Sequence, residues 1–580
     1  MSPQFTVRAG IWHPTPLSSS ETGWENDYLC QAASRRVIGG VSLIRSATLV
    51  IRNGRIYTVN PGQEWAQAAA IVDDKIVYVG TDDEIEPYID GNTKVLDAVG
   101  RLVLPGFNDS HMHISMAYEE AFWARLGSAK SFDEVSDIVK EHGESHPEYR
   151  MVGGTGWVYD AVLSGRRYPH KEDLDKIYSD RPVLLISFDG WVGLGNTLFT
   201  DMAEEAFKGR DASLGGRERD PESGEATGVY HNPGDLLYLA GDLSALIRES
   251  ELDGLRWVFG ELPRYGITSF HDAGVDFRSI DAYEQVKSEG GLRVRAYVAL
   301  GYHKSTTDED LKRFAEIREK HSDEWLRTGI VKLFIDGVLD SHTAAMLEPY
   351  ADDPSSSGET KYAPEEYKGI IEKLDKMGFQ CMTHSCGDRG VRVTLDAYEH
   401  AANVNGKRDS RHRIEHIEMV SKDDIPRFKE LGVIASMQPM HAVPESDSVY
   451  VRAAGSERIK TSFPWRSFDE SGAVLAFSSD WSVVDMNPLP GLQAAVTRNW
   501  AAGSPRTVSL EKAIEAYTLK GAYASFEEDI KGSIEVGKLA DLIVLSDDLF
   551  EISQDDIGDV KVLLTVVGGE ETYRADTFEG

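Results

Sequence analysis

The chain is short of cysteine, of positive charge and of long apolar runs, and each shortage excludes something. Three cysteines occur in 580 residues: Cys30, Cys381 and Cys386. An odd, sparse set does not build a disulfide framework, and Cys381 and Cys386 are not spaced as a Cys-x-x-Cys clip. They read as small buried residues near a site, in a protein of a reducing, cytoplasmic compartment. Lys and Arg total 61 against 96 Asp and Glu, a formal charge of -35. That imbalance disfavours nucleic acid and anionic membrane as partners and reads as a solubilising surface. No run of about 18 apolar residues exists, which argues against a membrane span. Residues 1–46 lack the charged-then-apolar pattern of a leader, because His13, Pro14 and Pro16 interrupt it; they read as an N-terminal extension. A Gly-x-Gly-x-x-Gly following a strand is missing as well, so nothing points to a dinucleotide cofactor.

What is present begins at Ala47. Thr48 to Val59 reads as a strand, an Asn53-Gly54 turn and a second strand, a hairpin signal. Ala69 to Gly80 repeats the scheme with Asp73-Asp74 at its turn. Gly532 to Leu545 and Val560 to Val567 have the same texture at the far end. Neither terminal sheet is large enough to stand alone, so segments 47–105 and 529–580 are expected to complete one β-sandwich.

Between them, residues 106–528 alternate apolar strands with helical stretches. The strands include Val183–Ser187, Gly266–Phe270, Val294–Ala299, Ile330–Ile335, Gly432–Met437 and Val474–Ser478; Asp308–His321 and Pro364–Met377 read as helices. Alternation on this scale predicts an α/β fold with a (β/α)8 barrel of the TIM type. The polar, Gly-rich stretch from Gly209 to Gly228 lies within an expected insertion, about 125–262, near the barrel mouth.

Polar residues placed directly after apolar strands carry the chemistry, since side chains at the C-terminal strand ends converge over the mouth. His111 and His113 follow Leu102-Val103-Leu104-Pro105-Gly106. In an extended chain residues i and i+2 share a side, so both imidazoles can reach one metal ion. Lys332 interrupts Ile330-Val331-Lys332-Leu333-Phe334. Burial there favours the neutral amine, which can take up carbon dioxide as a carbamate and so become an anionic oxygen ligand; alternatively it pairs with Asp336 or Asp340. His384 follows Phe379–Thr383, His416 follows His412–Glu415, and Asp480 follows Ala476–Ser479. Four histidines, one lysine and one aspartate make a complete nitrogen and oxygen set for one or two divalent metals.

These segments resemble the amidohydrolase superfamily. Leu104–His113 resembles its opening motif. Val331–Val338, His384–Arg389, Arg413–His416 and Ser479–Trp481 are similar to the branch that contains N-substituted formamide deformylase. Gly537–Leu542 matches the closing sandwich strand of that family. The resemblance runs from about Ala47 to Val567. It implies that His111, His113 and Asp480 bind a buried metal, and that carbamylated Lys332 bridges to a second metal held by His384 and His416. Zinc is the foremost candidate, with iron and manganese also suited.

The implied reaction is hydrolysis of a C–N amide-type bond in a small-molecule substrate, such as an N-formyl or N-acyl amine. A metal-activated hydroxide attacks, and Asp480 is the general base. The same fold can act on a cyclic amide, an ester or a deaminable ring, or persist as a non-catalytic regulatory relative. Asp109, Asp388 and Glu415 adjoin the ligands in sequence and are candidates to orient the imidazoles. Trp191 departs from the family, whose members usually read Asp-Gly-His where this chain has Asp189-Gly190-Trp191. Trp191 and Trp157 are candidates to line the substrate pocket. A homodimer is the default assembly.

Overall fold

The computed structural model describes residues 37–38, 41–42 and 45–580, apart from 164–166, 188–189, 191, 209–215, 232–240, 278, 340, 443–446 and 499–505. Most of the N-terminal extension lies outside these residues. Among them, no helix is long and apolar enough to cross a membrane.

Eight parallel strands form the central sheet in sequence order: β1 (Phe107–Met112), β2 (Ile267–Val275), β3 (Arg295–Gly301), β4 (Leu326–Phe334), β5 (Gln380–Ser385), β6 (Arg413–His416), β7 (Ile434–Met437) and β8 (Val474–Phe477). They are buried along nearly their whole length, as strands covered on both faces must be. The ring is completed beyond β8. Met112 and Trp481 form a parallel bridge, the Asp480 N–H donates to the His111 carbonyl at 2.8 Å, and the His113 N–H donates to the Trp481 carbonyl at 2.5 Å. Helices fill the connections. The helix Asp308–Lys320 starts at a capping box in which Thr307 and Asp310 satisfy each other's backbone N–H, and it buries Leu311 and Phe314. The sequence-based expectation of a (β/α)8 barrel is met.

The connection from β1 to β2 carries a second sheet of six strands. Its spatial order is Ala124–Arg125, Val152–Trp157, Val183–Ser187, Val192–Gly195, Ala226–His231 and Arg217–Arg219. Leu126, Val135, Val139, Leu174 and Leu194 give it a core of its own. Val183–Ser187, read as one of the alternating apolar strands and lying within the expected insertion, belongs here. A short apolar run signals a buried strand without saying which sheet receives it.

The chain ends meet in a sandwich. One sheet has the order Glu570–Arg574, Val562–Val567, Leu542–Leu545, Leu102–Pro105, Arg55–Tyr57, Trp65–Ala66, so strands from both ends are neighbours. The other contains Lys75–Gly80, Ala68–Val72, Leu49–Arg52 and Lys94–Asp97. Ile51, Ile71, Leu96, Val103, Leu542, Val544, Leu564 and Val566 pack between them. The expected Asn53-Gly54 hairpin does not form: Leu49–Arg52 and Arg55–Tyr57 lie in different sheets. A type I′ hairpin needs left-handed backbone at both turn residues. Only Asn53 adopts it, with φ +52°, and the chain crosses between sheets instead. Ala68–Val72 and Lys75–Gly80 do pair as the expected hairpin.

Sandwich and barrel are tied by a buried ion pair. Arg295, which opens β3, donates Nε and Nη2 to the Asp541 carboxylate at 2.7 and 3.1 Å, and the Gly568 N–H also reaches it at 2.8 Å. Both side chains are under 5% exposed. Removing one partner strands a charge in the interior. Asp541→Ala should therefore lower unfolding stability by about 3–5 kcal/mol, read from the urea midpoint. A shift equivalent to under about 1 kcal/mol would show that the pair is screened by solvent.

Candidate metal centre

At the C-terminal ends of the strands, His111, His416 and Asp480 place one donor atom each within 4.8 Å of one another, and all three are buried. Asp480 is the pivot. Its Oδ1 lies 3.4 Å from His111 Nε2 and 3.1 Å from His113 Nε2. Its Oδ2 lies 3.6 Å from His416 Nδ1 and 3.4 Å from His441 Nε2. Lys332 Nζ is 3.2 Å from His111 Nε2, and the His384 ring is 4.5 Å from that of His416. The six residues singled out in the sequence thus share one site.

Neighbouring groups fix each ring. His111 Nδ1–H donates to Glu415 Oε2 at 2.6 Å, leaving Nε2 as the bare nitrogen. Glu415 is held in turn by Arg413, through Nε at 2.6 Å and Nη2 at 3.0 Å. Arg413 also donates to Ser436 Oγ at 2.8 Å and to His271 Nδ1 at 2.8 Å. Gln438 gives its amide N–H to Ser478 Oγ at 3.0 Å, so its oxygen accepts from His416 Nδ1 at 2.9 Å. His384 Nε2–H donates to the Gly337 carbonyl at 3.0 Å. These bonds settle tautomers and aim the remaining nitrogens inward.

Burial governs the charges. It lowers the pKa of His111 and His416 well below the usual histidine value, and that of His384 to about 3. Neutral imidazole is the ligating form. Burial also lowers Lys332 to about 8, against the opposing pull of Glu415 and Asp480. It works against ionised Asp480 too, but His111, His113 and His416 hold that carboxyl well below the ordinary carboxylate range. Asp480 Oδ1 is buried and accepts no hydrogen bond. A charged oxygen enclosed in this way faces a large desolvation cost, which a cation beside it would offset. This donor set fits a divalent cation of the zinc type.

Backbone geometry is constrained at the same place. His416 and Asp480 have φ of +72° and +66°, unusual for residues with a side chain. The turn into Asp480 is pinned from β1, where Asp109 accepts the Ser479 N–H at 3.0 Å and the His111 N–H at 3.2 Å.

Of the three carboxylates expected to orient imidazoles, Glu415 contacts one. Asp109 spends its hydrogen bonds on backbone, and Asp388 accepts from the Leu347 N–H at 2.7 Å. Asp336, weighed as a partner for Lys332, accepts from the N–H groups of Ala345, Cys386 and Gly387 at 2.9, 3.1 and 2.9 Å; Asp340 lies outside the described residues. Cys381 and Cys386 are both buried, and Cys386 Sγ stands 3.5 Å from His384 Nε2. Trp157, expected to line the pocket, is fully buried in the core of the inserted sheet, with its indole N–H on the Leu185 carbonyl at 3.2 Å. Trp191 lies outside the described residues.

Sequence reading passed over Asp272, Gln438 and His441. Asp272 accepts from the N–H groups of Ile114 and Ser115 at 3.1 and 3.0 Å and from the Tyr283 hydroxyl, so it holds the turn that follows His113. Gln438 directly follows β7 and His441 lies in the turn after it, whereas Asp272 sits inside β2, three residues before its end. The strand-end rule that singled out the candidate ligands could have found Gln438 and His441.

A parallel barrel carrying clustered imidazoles and a carboxylate at its strand ends, with a sandwich built from both chain ends, is the architecture of a metal-dependent hydrolase. A profile of the amidohydrolase family matches residues 94–573, and the chain belongs to that family. Protein LONG AFTER FAR-RED 3 of Arabidopsis thaliana is 31% identical over 550 residues, spanning 91% of this chain and 92% of the relative. N-substituted formamide deformylase of Arthrobacter pascens is 26% identical over 538 residues, spanning 91% and 98%. The crystal structure of an uncharacterized metal-dependent hydrolase from Pyrococcus furiosus matches with a TM-score of 0.68 at 27% identity, covering 86% of this chain and 99% of that one.

Because Glu415 fixes the His111 tautomer, Glu415→Ala should weaken zinc binding by about 10–100-fold in titration calorimetry. Unchanged affinity would remove His111 from the ligand set.

Proposed function

We propose that this site hydrolyses the carbon–nitrogen bond of an N-formyl or N-acyl amine. The observation that carries the reading is the buried convergence of Asp480 with His111, His113 and His416 at the strand ends. The likeness to N-substituted formamide deformylase supports the choice of bond. One or two divalent ions, zinc foremost, would be held by His111, His113 and Asp480 and by His384 and His416, with Lys332 between.

Lys332 is suited to become a carbamate. Its lowered pKa provides neutral amine near pH 8. Attack on carbon dioxide forms an N–C bond and releases the amine proton, leaving an anionic oxygen donor in place of a buried cation. A metal held there would supply Lewis acidity and would ease ionisation of the attacking water, whose pKa such ions lower from about 15.7 toward about 7. Asp480 supplies proton transfer. It takes the proton of the attacking water at Oδ2 and returns it to the leaving nitrogen as the C–N bond breaks, giving a carboxylic acid and an amine.

Elemental analysis of protein purified without chelator should find one or two metal equivalents per chain; about two, with a sharp fall in Lys332→Ala, marks the carbamate-bridged centre, and one that is insensitive to Lys332 a mononuclear one. Asp480→Asn should retain metal yet lose about 10²–10⁴-fold in turnover of N-formyl amines, measured as formate release. Full activity in that variant removes Asp480 as the base. A wild-type enzyme inert to both N-formyl and N-acyl amines defeats the reading itself.

A further inference from the structure

We propose that His441 is a catalytic residue of this centre, which donates its Nε2–H to the acyl oxygen of the substrate; the role rests on the hydrolase reading above. His441 lies in the short helical turn Pro439–Ala442 that directly follows β7, level with the strand ends that carry the other imidazoles. Its ring stacks on that of His416 at a centroid distance of 5.9 Å and an interplanar angle of 8°, so its plane is set by a ring that Gln438 itself holds.

The position of His441 relative to Asp480 separates it from the ligand set. Oδ1 faces His111 and His113, and Oδ2 faces His416 and His441. The edge that carries Oδ2 is the one available for proton transfer once Oδ1 is turned to the β1 pair. The role requires the Nε2–H tautomer of His441, which would set a donor along the edge that carries Oδ2. His441 is not sealed in: its side chain is 11% exposed, against 4% for the His416 ring it stacks on and 5% for Asp480.

The spacing suits one amide group. Nε2 and Oδ2 are 3.4 Å apart, whereas the oxygen and nitrogen of an amide are separated by about 2.2 Å, from bond lengths of about 1.23 and 1.33 Å. A single amide can therefore turn its oxygen toward His441 and its nitrogen toward Oδ2. As water oxygen bonds to the acyl carbon, its proton passes to Asp480 Oδ2. The C=O π pair moves onto the oxygen, and the His441 N–H meets the charge that develops there. When that pair returns, the C–N bond breaks with its electrons on nitrogen, which recovers the proton from Oδ2.

The test compares wild type, His441→Ala and His441→Gln in formate release from N-formyl amines, with metal content and thermal midpoint measured on the same preparations. The expected result is a fall in kcat of about 10²–10³-fold in His441→Ala, the size of one lost oxyanion donor. KM should stay within a few-fold, metal content and midpoint should be unchanged, and the amide N–H of His441→Gln should restore part of the rate. Wild-type activity that survives intact in His441→Ala overturns the role and leaves the hydrolase reading standing. So does a rise in KM alone, or a loss of metal, either of which would make His441 a ground-state contact or a ligand. Wild type without hydrolysis of any N-formyl or N-acyl amine overturns the reading and this role together.

Discussion

Across the seam between β1 and β8, the Asp480 N–H reaches the His111 carbonyl at 2.8 Å and Asp109 receives the Ser479 N–H at 3.0 Å. These bonds close the barrel, and the residues they join carry the site. His111 and His113 stand on one side of the seam and Asp480 on the other. A sheet of eight strands closes only if tilt and stagger bring the first strand into register with the last. The register that closes this one also sets Asp480 Oδ1 between two imidazoles. Fold and site share one constraint, so little can move at the centre without opening the ring.

The interior behind the seam is highly charged for a buried region. Arg413 and Glu415 neutralise each other in a forked pair, and their surplus hydrogen bonds run to His111, Ser436, Ser110 and His271. Such a pair is held by geometry and full hydrogen bonding, since desolvation alone opposes it. What it secures is the direction of one imidazole. Lys332 and Asp480 have no comparable pairing; burial acts against the charge of both. The left-handed backbone at His416 and Asp480 belongs to the same pattern, in which strain at functional groups is held by the packed surroundings. A cation among these donors would relieve the charge, while the strain keeps the donors turned inward.

The two additional sheets have separate relations to this centre. The sandwich is fastened to the N-terminal end of β3 by Arg295 and Asp541, at the opposite end of the strands from the clustered imidazoles. The inserted sheet interrupts the chain between β1 and β2 and keeps its own core, in which Trp157 is sealed. In barrels of this kind most chemical variety arises in the loops above the strands.

By itself the sequence determined which residues sit at strand ends. Alternation and apolar runs are local signals, and they located His111, His113, Lys332, His384, His416 and Asp480 because a polar residue is costly within such a run unless it serves the mouth. It also determined that both chain ends are strand-rich and need each other. Tertiary structure alone decided who meets whom. Glu415 reaches an imidazole across 2.6 Å, while Asp109 and Asp388, equally close to ligands in sequence, turn to backbone N–H groups. Val183–Ser187 joined the inserted sheet, and Asn53 sent Arg55–Tyr57 into a different layer from Leu49–Arg52. His441 came beside Asp480 only through the closure of β7 and β8 onto β1. Spacing along a chain fixes the direction of a side chain; its partner is fixed by sheet order and register, and those depend on contacts between residues hundreds of positions apart.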